Sequence, residues 1–588
     1  MHSKRSTNRE ALCHRLLVIG IPPHLIPQLV DVWTKWVTNN GPEWACKRFK
    51  SLKVDLIRQH DGQQCITPYV RKNRSGVYFG VIGALFRWAK ASEKRFSRVL
   101  QALCIYTSEI SPTETKSQLD KFLKAVSCDK PIGLSMEELT ALSWTTKLCI
   151  GQRKIEKTDN SVLFYRGSPE KFAPLPHNLG VCSQDRKILQ DLYWFMGNDK
   201  NLDHAIKYSS LYGPVIQGIG HATSKPPPEL KYDSTSYAGE VHFIQEPGYK
   251  LRAVASPYRI HQLALKPLGQ SLGRIVESLP WDCTFDQSKA IPLIRERLKL
   301  GSKIYSIDLS NATDFFPLRL QEIVLRSIFG DIPDINLFRD ISQMRWKSKY
   351  GDIQWKRGQP LGLYPSFFAF TLTHGLLLKS LSTEDNEFLV VGDDVVIFTD
   401  SLYSKYINIL NKMCCPFSQD KSLSSNLFAE FTGKIITIDR VIPQLKWRKM
   451  SNDSFLDLAK LLGPRSRELM TRRQRDVFDS VRNLQPPIGL NMSIPGSDML
   501  SSFIETERIL SIIQHSAVRS LTGLIRTAWN NSMDDPSKRV LNPDTHTFDK
   551  KVLMVFQKTV FSHYMWLEHL SDLPQALGLE PRLPILAS

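Results

Sequence analysis

Four aspartates in the 588-residue chain stand where carboxylates are costly. Asp393 and Asp394 follow Gly392 in FLVVGDDVVIF at 388–398, between two short β-branched and aromatic runs. Asp308 ends the apolar run IYSI at 304–307, and Asp314 follows after a turn made by Ser310, Asn311 and Ala312. Adjacent carboxylates repel each other, and an apolar setting needs cations or solvent to offset that repulsion. Carboxylate oxygens from separate strands suit Mg²⁺, which prefers hard oxygen ligands and keeps waters and substrate phosphates in its shell. Two divalent ions about 4 Å apart can activate a hydroxyl and stabilise a leaving pyrophosphate, the chemistry of nucleotidyl transfer. Asp308 and Asp393 would hold the pair, with Asp394 as a helper or outer charge. A Gly-Asp turn alone is common in hairpins, so the weight falls on the two segments together.

The elements needed to position these groups can be read around them. Residues 388–398 read as strand, tight turn, strand, with Gly392 at the turn. Ile304–Ile307 reads as a strand that delivers Asp308 at its exit, and Phe315 opens a helical pattern that Asp314 either caps or serves from the site. Between them, RGQPLGLYPSFFAFTLTHGLLL at 357–378 has Gly358 and Gly362, which allow close backbone approach to a ligand. A helix is expected from about Ser366, whose hydroxyl can cap it; the same pattern also describes a plain turn before a core helix. Upstream, EPGYKLRAVASPYRIHQLALKPLG at 246–269 clusters Lys250, Arg252, Arg259 and Lys266. Lys250 and Arg252, two apart, share one face of a strand and suit a triphosphate, Arg as a fork and Lys as a point charge. Downstream, Lys421 follows a helix expected at 403–412 and can protonate a leaving pyrophosphate. Gly433-Lys434 lacks the preceding residues of a phosphate-binding P-loop. Residues 441–480 hold nine basic and five acidic residues, among them Arg448 and Arg465, able to line a groove for a phosphate backbone. Trp447 sits among them, to stack on a base or to anchor the chain.

Composition sets the frame. A net charge of +19 favours a polyanionic partner: nucleic acid, anionic membrane or a heparin-like polymer. With 42% hydrophobic and 23% charged residues, wholesale disorder is excluded. Ten cysteines without a C-x-x-C pair argue against a structural zinc site or a secreted disulfide framework and suit a reducing compartment. No apolar run long enough for a transmembrane helix is present, and the basic start is not a secretory signal; it bears a weak likeness to a mitochondrial presequence, against which Glu10 counts. Residues 30–37 and 78–96 look helical, and Lys47, Arg48, Lys50 and Lys53 read as a solvated face, with RNA contact as the lesser alternative. HATSKPPPELKYDSTSYAG at 221–239 reads as a linker or surface loop, strand-like runs follow to about 449, and the chain from Leu456 looks mostly helical.

Taken in chain order, the cations near Lys250, then Asp308, the Gly358 loop, Gly392-Asp393-Asp394 and Lys421 follow motifs F, A, B, C and D of viral RNA-dependent RNA polymerases. DLSNATD at 308–314 resembles the form found in the RNA-phage, narnavirus, mitovirus and ourmiavirus lineage. GQPLGLYPS at 358–366, with THG at 373–375, resembles the mitovirus and ourmiavirus versions. EPGYKLRAVASP at 246–257, TFDQ at 284–287, AEFTGKIIT at 429–437 and LGPR at 462–465 are most similar to ourmia-like viruses, the botourmiaviruses. The resemblance covers residues 240–495 and does not extend over 1–200 or the last ninety.

It implies an α+β right-hand polymerase with fingers, a palm built on a small antiparallel sheet, and a helical thumb. Residues 1–220 would form an N-terminal extension and part of the fingers, 221–300 fingers with the basic motif, 301–450 the palm, and 451–588 the thumb and C-terminal region. By resemblance, Asp308, Asp393 and Asp394 bind two Mg²⁺ or Mn²⁺ ions and Lys421 is the general acid. Lys250 and Arg252 contact the incoming ribonucleoside triphosphate, Asp314 lies near its ribose, and Gly362 and Ser366 belong to the loop beside template and nucleotide. Arg259, Lys266, Arg448 and Arg465 are candidates for RNA contact. Many viral polymerases carry an Asn in the helix after the loop; here Thr371, Thr373 and His374 occupy it, leaving the ribose partner of Asp314 open. The expected partners are RNA template and product, ribonucleotides and other viral or host replication factors, in the host cytoplasm, with the mitochondrion as the alternative. Two other functions fit parts of the pattern. A reverse transcriptase shares the palm logic, but it usually has an aromatic and a variable residue before the paired aspartates, where Gly392 stands. A non-enzymatic RNA-binding protein fits the charge and leaves the acidic hairpin unexplained.

Overall fold

A computed structural model describes residues 2–156 apart from 75, 237–418, 422–444, 446–447, 462–470 and scattered positions up to 492; for 2–8, 259, 260, 263 and 264 it describes the backbone alone. Lys421 and Arg448, the Arg259 side chain, most of the linker expected at 221–239 and nearly all of the helical region expected beyond Leu456 lie outside the described residues. The chain forms two compact units, Met1–Glu109 with Ile442–Ser588, and Ile110–Val441.

In the second unit the described strands are β1 (Tyr237–Glu246), β2 (Lys250–Pro257), β3 (Ile304–Asp308), β4 (Arg345–Lys347), β5 (Phe388–Val391), β6 (Asp394–Ile397), β7 (Leu423–Ser425), β8 (Ala429–Phe431) and β9 (Lys434–Ile436). One sheet runs β5-β6-β3-β7, with every neighbour antiparallel. A second runs β2-β1-β4, and β8 pairs antiparallel with β9. Small, mostly antiparallel sheets among many helices, with β1 and β4 the parallel pair, make the unit α+β, as expected. Ile304, Tyr305 and Ile307 of β3 and Val395, Val396 and Ile397 of β6 are buried; side chains on both faces are covered, which is why these strands read as continuous apolar runs.

The helix Ser366–Leu381 is the packing centre, its residues from Ala369 to Leu378 all buried. It is apolar on every side and packs against β5 and the helices Arg259–Ser278, Leu318–Phe329 and Asp400–Lys412. Its start falls where the sequence places it, but its cap does not. Pro365 is the N-cap, and the buried Ser366 hydroxyl donates 3.0 Å back to the Pro360 carbonyl instead. The helix expected from Phe315 is interrupted by Pro317: a turn at Ala312–Phe315 holds Asp314, and Leu318–Phe329 follows.

In the first unit the 78–96 pattern resolves into two helices, Gly80–Ala89 and Glu93–Leu103, because Ser92 caps the second by accepting from the Arg95 N–H. Trp447 anchors: its indole donates 2.9 Å to the Gln101 carbonyl and its N–H 2.6 Å to Thr107 Oγ1. The expected solvated face is partly packed, since Lys53 is buried and donates 2.6 Å to Gln444 Oε1.

Candidate active site

The Gly392–Asp393 turn joins β5 to β6 through two residues. Val391 pairs with Asp394, and Gly392 adopts φ +58. A positive φ at the first turn residue is where a two-residue hairpin needs glycine. The turn is held from behind by the central helix. The Gly392 N–H donates 3.0 Å to Thr371 Oγ1, and Thr371 donates 2.8 Å to the buried Asp282 carboxylate. His374 Nδ1 lies 2.8 Å from the Gly392 carbonyl, so it carries the proton, and Nε2 accepts from the Tyr406 hydroxyl at 2.6 Å. Burial lowers the His374 pKa to about 4, so the ring is a neutral brace. Thr371 and His374 are thus committed to the turn and do not face a ribose. The edge of β5 is covered too: the Val390 N–H donates to Trp281 and the Val390 carbonyl accepts from Cys283.

Beside the turn, Asp308 and Asp394 are cross-strand partners on β3 and β6 and share one sheet face. Past Asp308 the chain is pinned by Ser418, whose N–H donates 2.9 Å to the Asp308 carbonyl. Burial raises the Asp394 pKa to about 7, and Asp393, Asp308 and Glu430 add to the rise. Asp393 reaches solvent from the turn, yet the surrounding protein makes desolvation the leading cause of its upward shift. Asp308 pushes it further up, while Lys250 and Arg252 pull it down. The two cations therefore act on the acidic turn electrostatically, although both also meet Glu246: Lys250 at 3.8 Å, and Arg252 Nε at 2.8 Å. Asp308 pushes up both Asp393 and Asp394, and the three carboxylates together form a hard-oxygen donor set whose mutual repulsion a divalent cation would relieve. No three acidic, His or Cys side chains among the described residues close into a metal cage. This donor set fits Mg²⁺, which needs one or two carboxylates and takes waters and phosphates for the rest.

Asp314 lies in the turn Ala312–Phe315 that follows β3. Its carboxylate accepts 2.9 Å from the Trp355 indole and 3.2 Å from Asn311 Nδ2, and burial raises its pKa to about 6. Its backbone lies against the glycine loop, where a Cβ on Gly358 would meet the Thr313 and Asp314 carbonyls at 2.1 and 2.4 Å. Gly362 adopts φ +132, and a Cβ there would sit 1.8 Å from the Ala255 carbonyl of β2. Ala255 donates back to the Leu361 carbonyl at 2.9 Å, so the loop runs along the strand that carries Lys250 and Arg252.

Sequence reasoning missed three positioning residues. Gln262 clasps the loop, donating to the Gly362 carbonyl at 2.5 Å and accepting from the Tyr364 N–H at 2.7 Å. Trp355 fixes Asp314, and Asp282 backs Thr371. Only TFDQ at 284–287, next to Asp282, hinted at the last. Lys266, expected at RNA, is instead 5% exposed, because it sits on the packed side of its helix beside the fully buried Leu265. Arg465 is exposed on the turn Gly463–Leu469 of the first unit.

Residues 156–454, just over half of the chain, match the family described as mitovirus RNA-dependent RNA polymerase. An RNA-directed RNA polymerase of Cryphonectria parasitica mitovirus 1 is 29% identical over 204 residues, 34% of this chain and 25% of that protein. An uncharacterized mitochondrial protein of Arabidopsis thaliana is 28% identical over 165 residues, 26% of this chain and 65% of its own length. The chain thus spans a quarter of the mitovirus polymerase and just under two thirds of the plant protein. The crystal structure of the RNA-dependent RNA polymerase of a human picorbirnavirus aligns with 78% of this chain and 82% of its own, at 12% identity and a TM-score of 0.37, too low to define the fold.

Proposed function

Because the chain belongs to the mitovirus RNA-dependent RNA polymerase family, we propose that it is an RNA-directed RNA polymerase that copies a positive-strand viral RNA genome. The observation that supports this most is the pairing of Asp308 with Asp394 across β3 and β6, beside the Asp393 turn and within electrostatic reach of Lys250 and Arg252. In this reading residues 221–300 form fingers, 301–450 the palm and 451–588 the thumb, with 1–220 as an N-terminal extension that joins the fingers.

Asp308 and Asp393 would hold two Mg²⁺ or Mn²⁺ ions, with Asp394 assisting, and that site would supply charge neutralisation for the triphosphate and a lowered pKa for the attacking hydroxyl. The chain's own groups do the rest. Lys250 and Arg252 leave Glu246 to grip the triphosphate, the Arg by its fork. The glycine loop, clasped by Gln262, sets the floor on which nucleotide and template lie, with Gly362 and Ser366 fixing its path. Asp314 accepts from the ribose 2′-hydroxyl, held in place by Trp355. The 3′-hydroxyl gives its proton to solvent water as its oxygen bonds to the α-phosphorus and the bond from that phosphorus to the bridging oxygen of the pyrophosphate breaks, and Lys421 gives the departing pyrophosphate a proton. Arg259, Arg448 and Arg465 meet the RNA backbone; Lys266 supports its helix instead.

The test is extension of primed and single-stranded RNA by the purified chain with four ribonucleotides and Mg²⁺ or Mn²⁺. Preference for deoxynucleotides in competition would overturn the reading in favour of a reverse transcriptase, and salt-sensitive RNA binding without incorporation would overturn it in favour of a binding protein. No helix among the described residues is long and apolar enough to cross a membrane. The name of the plant relative, a mitochondrial protein, supports the mitochondrion, the alternative to the expected cytoplasm, as the working place. UGA codons at any of the 12 tryptophans of the encoding RNA would favour it, and cofractionation of the chain with cytoplasmic ribosomes would oppose it.

A further inference from the structure

Residues 1–109 precede the family match, yet they hold 18 Lys and Arg against 7 Asp and Glu, a net +11 of the chain's +19. Within them the fully buried Asp55 clamps one surface segment at two places. It accepts from the Ile66 and Thr67 N–H groups at 2.9 and 2.8 Å, from Thr67 Oγ1 at 2.5 Å, and from the Tyr78 hydroxyl. What the clamp presents is two aromatic rings facing solvent. Tyr69, two residues past Thr67, is 78% exposed at φ +66, and Phe79, next to Tyr78, is 50% exposed. A bulky residue at positive φ is strained, and an exposed ring returns little burial energy for that strain.

Each ring is paired with a guanidinium. Arg48 lies against both Trp44 and Tyr69, its central carbon 4.9 and 5.0 Å from the two ring centroids, which themselves meet tilted at 5.8 Å, and its buried Nε has no hydrogen-bond partner among the described residues. Arg71 lies 5.5 Å from the Phe79 ring, and the next arginine, Arg74, is exposed. A flat ring with a cation behind it is a stacking platform that accepts any base, and the surrounding positive charge suits a phosphate chain.

We propose that this face of residues 44–79 binds single-stranded RNA, with bases stacking on Tyr69 and Phe79 and phosphates meeting Arg71 and Arg74. Only the choice of RNA as the polyanion rests on the polymerase reading. A duplex keeps its bases stacked on each other, so the surface selects single strands.

The test is equilibrium binding of a fluorescent oligouridylate to the full chain and to Tyr69→Asn, Phe79→Ala and the double variant; asparagine tolerates the positive φ. Stacking is worth about 1–3 kcal/mol per base, so each substitution should weaken binding roughly tenfold and the pair about a hundredfold. Tyr69→Phe should bind like the parent, duplex RNA should be unaffected, and the salt dependence should keep its slope because no cation is removed. Should Tyr69→Asn lower the melting temperature, Phe79→Ala alone must still show the tenfold loss. Unchanged affinity for the oligonucleotide in the folded variants overturns the proposal. So does a loss confined to phosphatidylserine vesicles, which would assign the face to a membrane. A parent that incorporates no nucleotide while these variants lose RNA defeats the polymerase reading and leaves this surface standing.

Discussion

Thr371→Val is a near-isosteric change at the hydroxyl that joins the acidic turn to the central helix. The hydroxyl is fully buried, accepts from Gly392 at 3.0 Å and donates to Asp282 at 2.8 Å. Valine leaves both partners in place without it. An unpaired buried N–H costs about 1–3 kcal/mol, and a bond to a carboxylate is worth about 1.5–3 kcal/mol. Asp282 keeps its bond from the Thr284 N–H at 2.8 Å, and its pKa is already raised by burial, so protonation limits the second loss. The expected total is on the order of 3 kcal/mol. Denaturant unfolding followed by a probe within Ile110–Val441 should show that loss for Thr371→Val, while Thr371→Ser, which keeps both bonds, stays within about 1 kcal/mol of the parent. RNA synthesis should fall in step, because Gly392 sets where Asp393 stands and a 1 Å misplacement can cost about a hundredfold. A valine variant that unfolds within about 0.5 kcal/mol of the parent and elongates RNA normally would refute the buttress.

Other outcomes follow from the same geometry. The Asp314 pKa is raised from 3.8 to about 6, so its contribution to stability is present below pH 4 and lost as pH rises through 6. That loss is on the order of 3 kcal/mol; in pH-dependent melting, Asp314→Asn should lack it and gain stability at pH 7.5, while discriminating less against deoxynucleotides. Gly362→Ala should give little folded protein on expression, because its Cβ would lie 1.8 Å from the Ala255 carbonyl in a backbone at φ +132. Gln262→Leu removes both clasps on the loop and should raise the KM for ribonucleotides several-fold in steady-state extension, with a smaller change in kcat.

The strands that carry the acidic residues were legible because short apolar runs adjoin Asp308 and the Gly392-Asp393-Asp394 segment, and the turn because Gly392 precedes the pair. The loop was legible through Gly358 and Gly362, whose close backbone approaches are real. What the sequence hid were partnerships fixed by tertiary packing. Gln262 meets Tyr364 from 102 residues away, Trp355 meets Asp314 from 41, and His374 meets Gly392 from 18. Nothing local distinguishes those side chains from ordinary core or surface polar residues. Lys266 misled for the converse reason: a lysine in a basic cluster reads as exposed until the helix face it occupies is known.

The central claim is that Asp308, Asp393 and Asp394 form a nucleotidyl-transfer centre. It is tested most directly by RNA-templated ribonucleotide incorporation with the parent and with Asp393→Ala, matched for folding by melting temperature. Incorporation by the parent that falls at least a hundredfold in Asp393→Ala is the predicted result. Elongation by Asp393→Ala at the parental rate would contradict it.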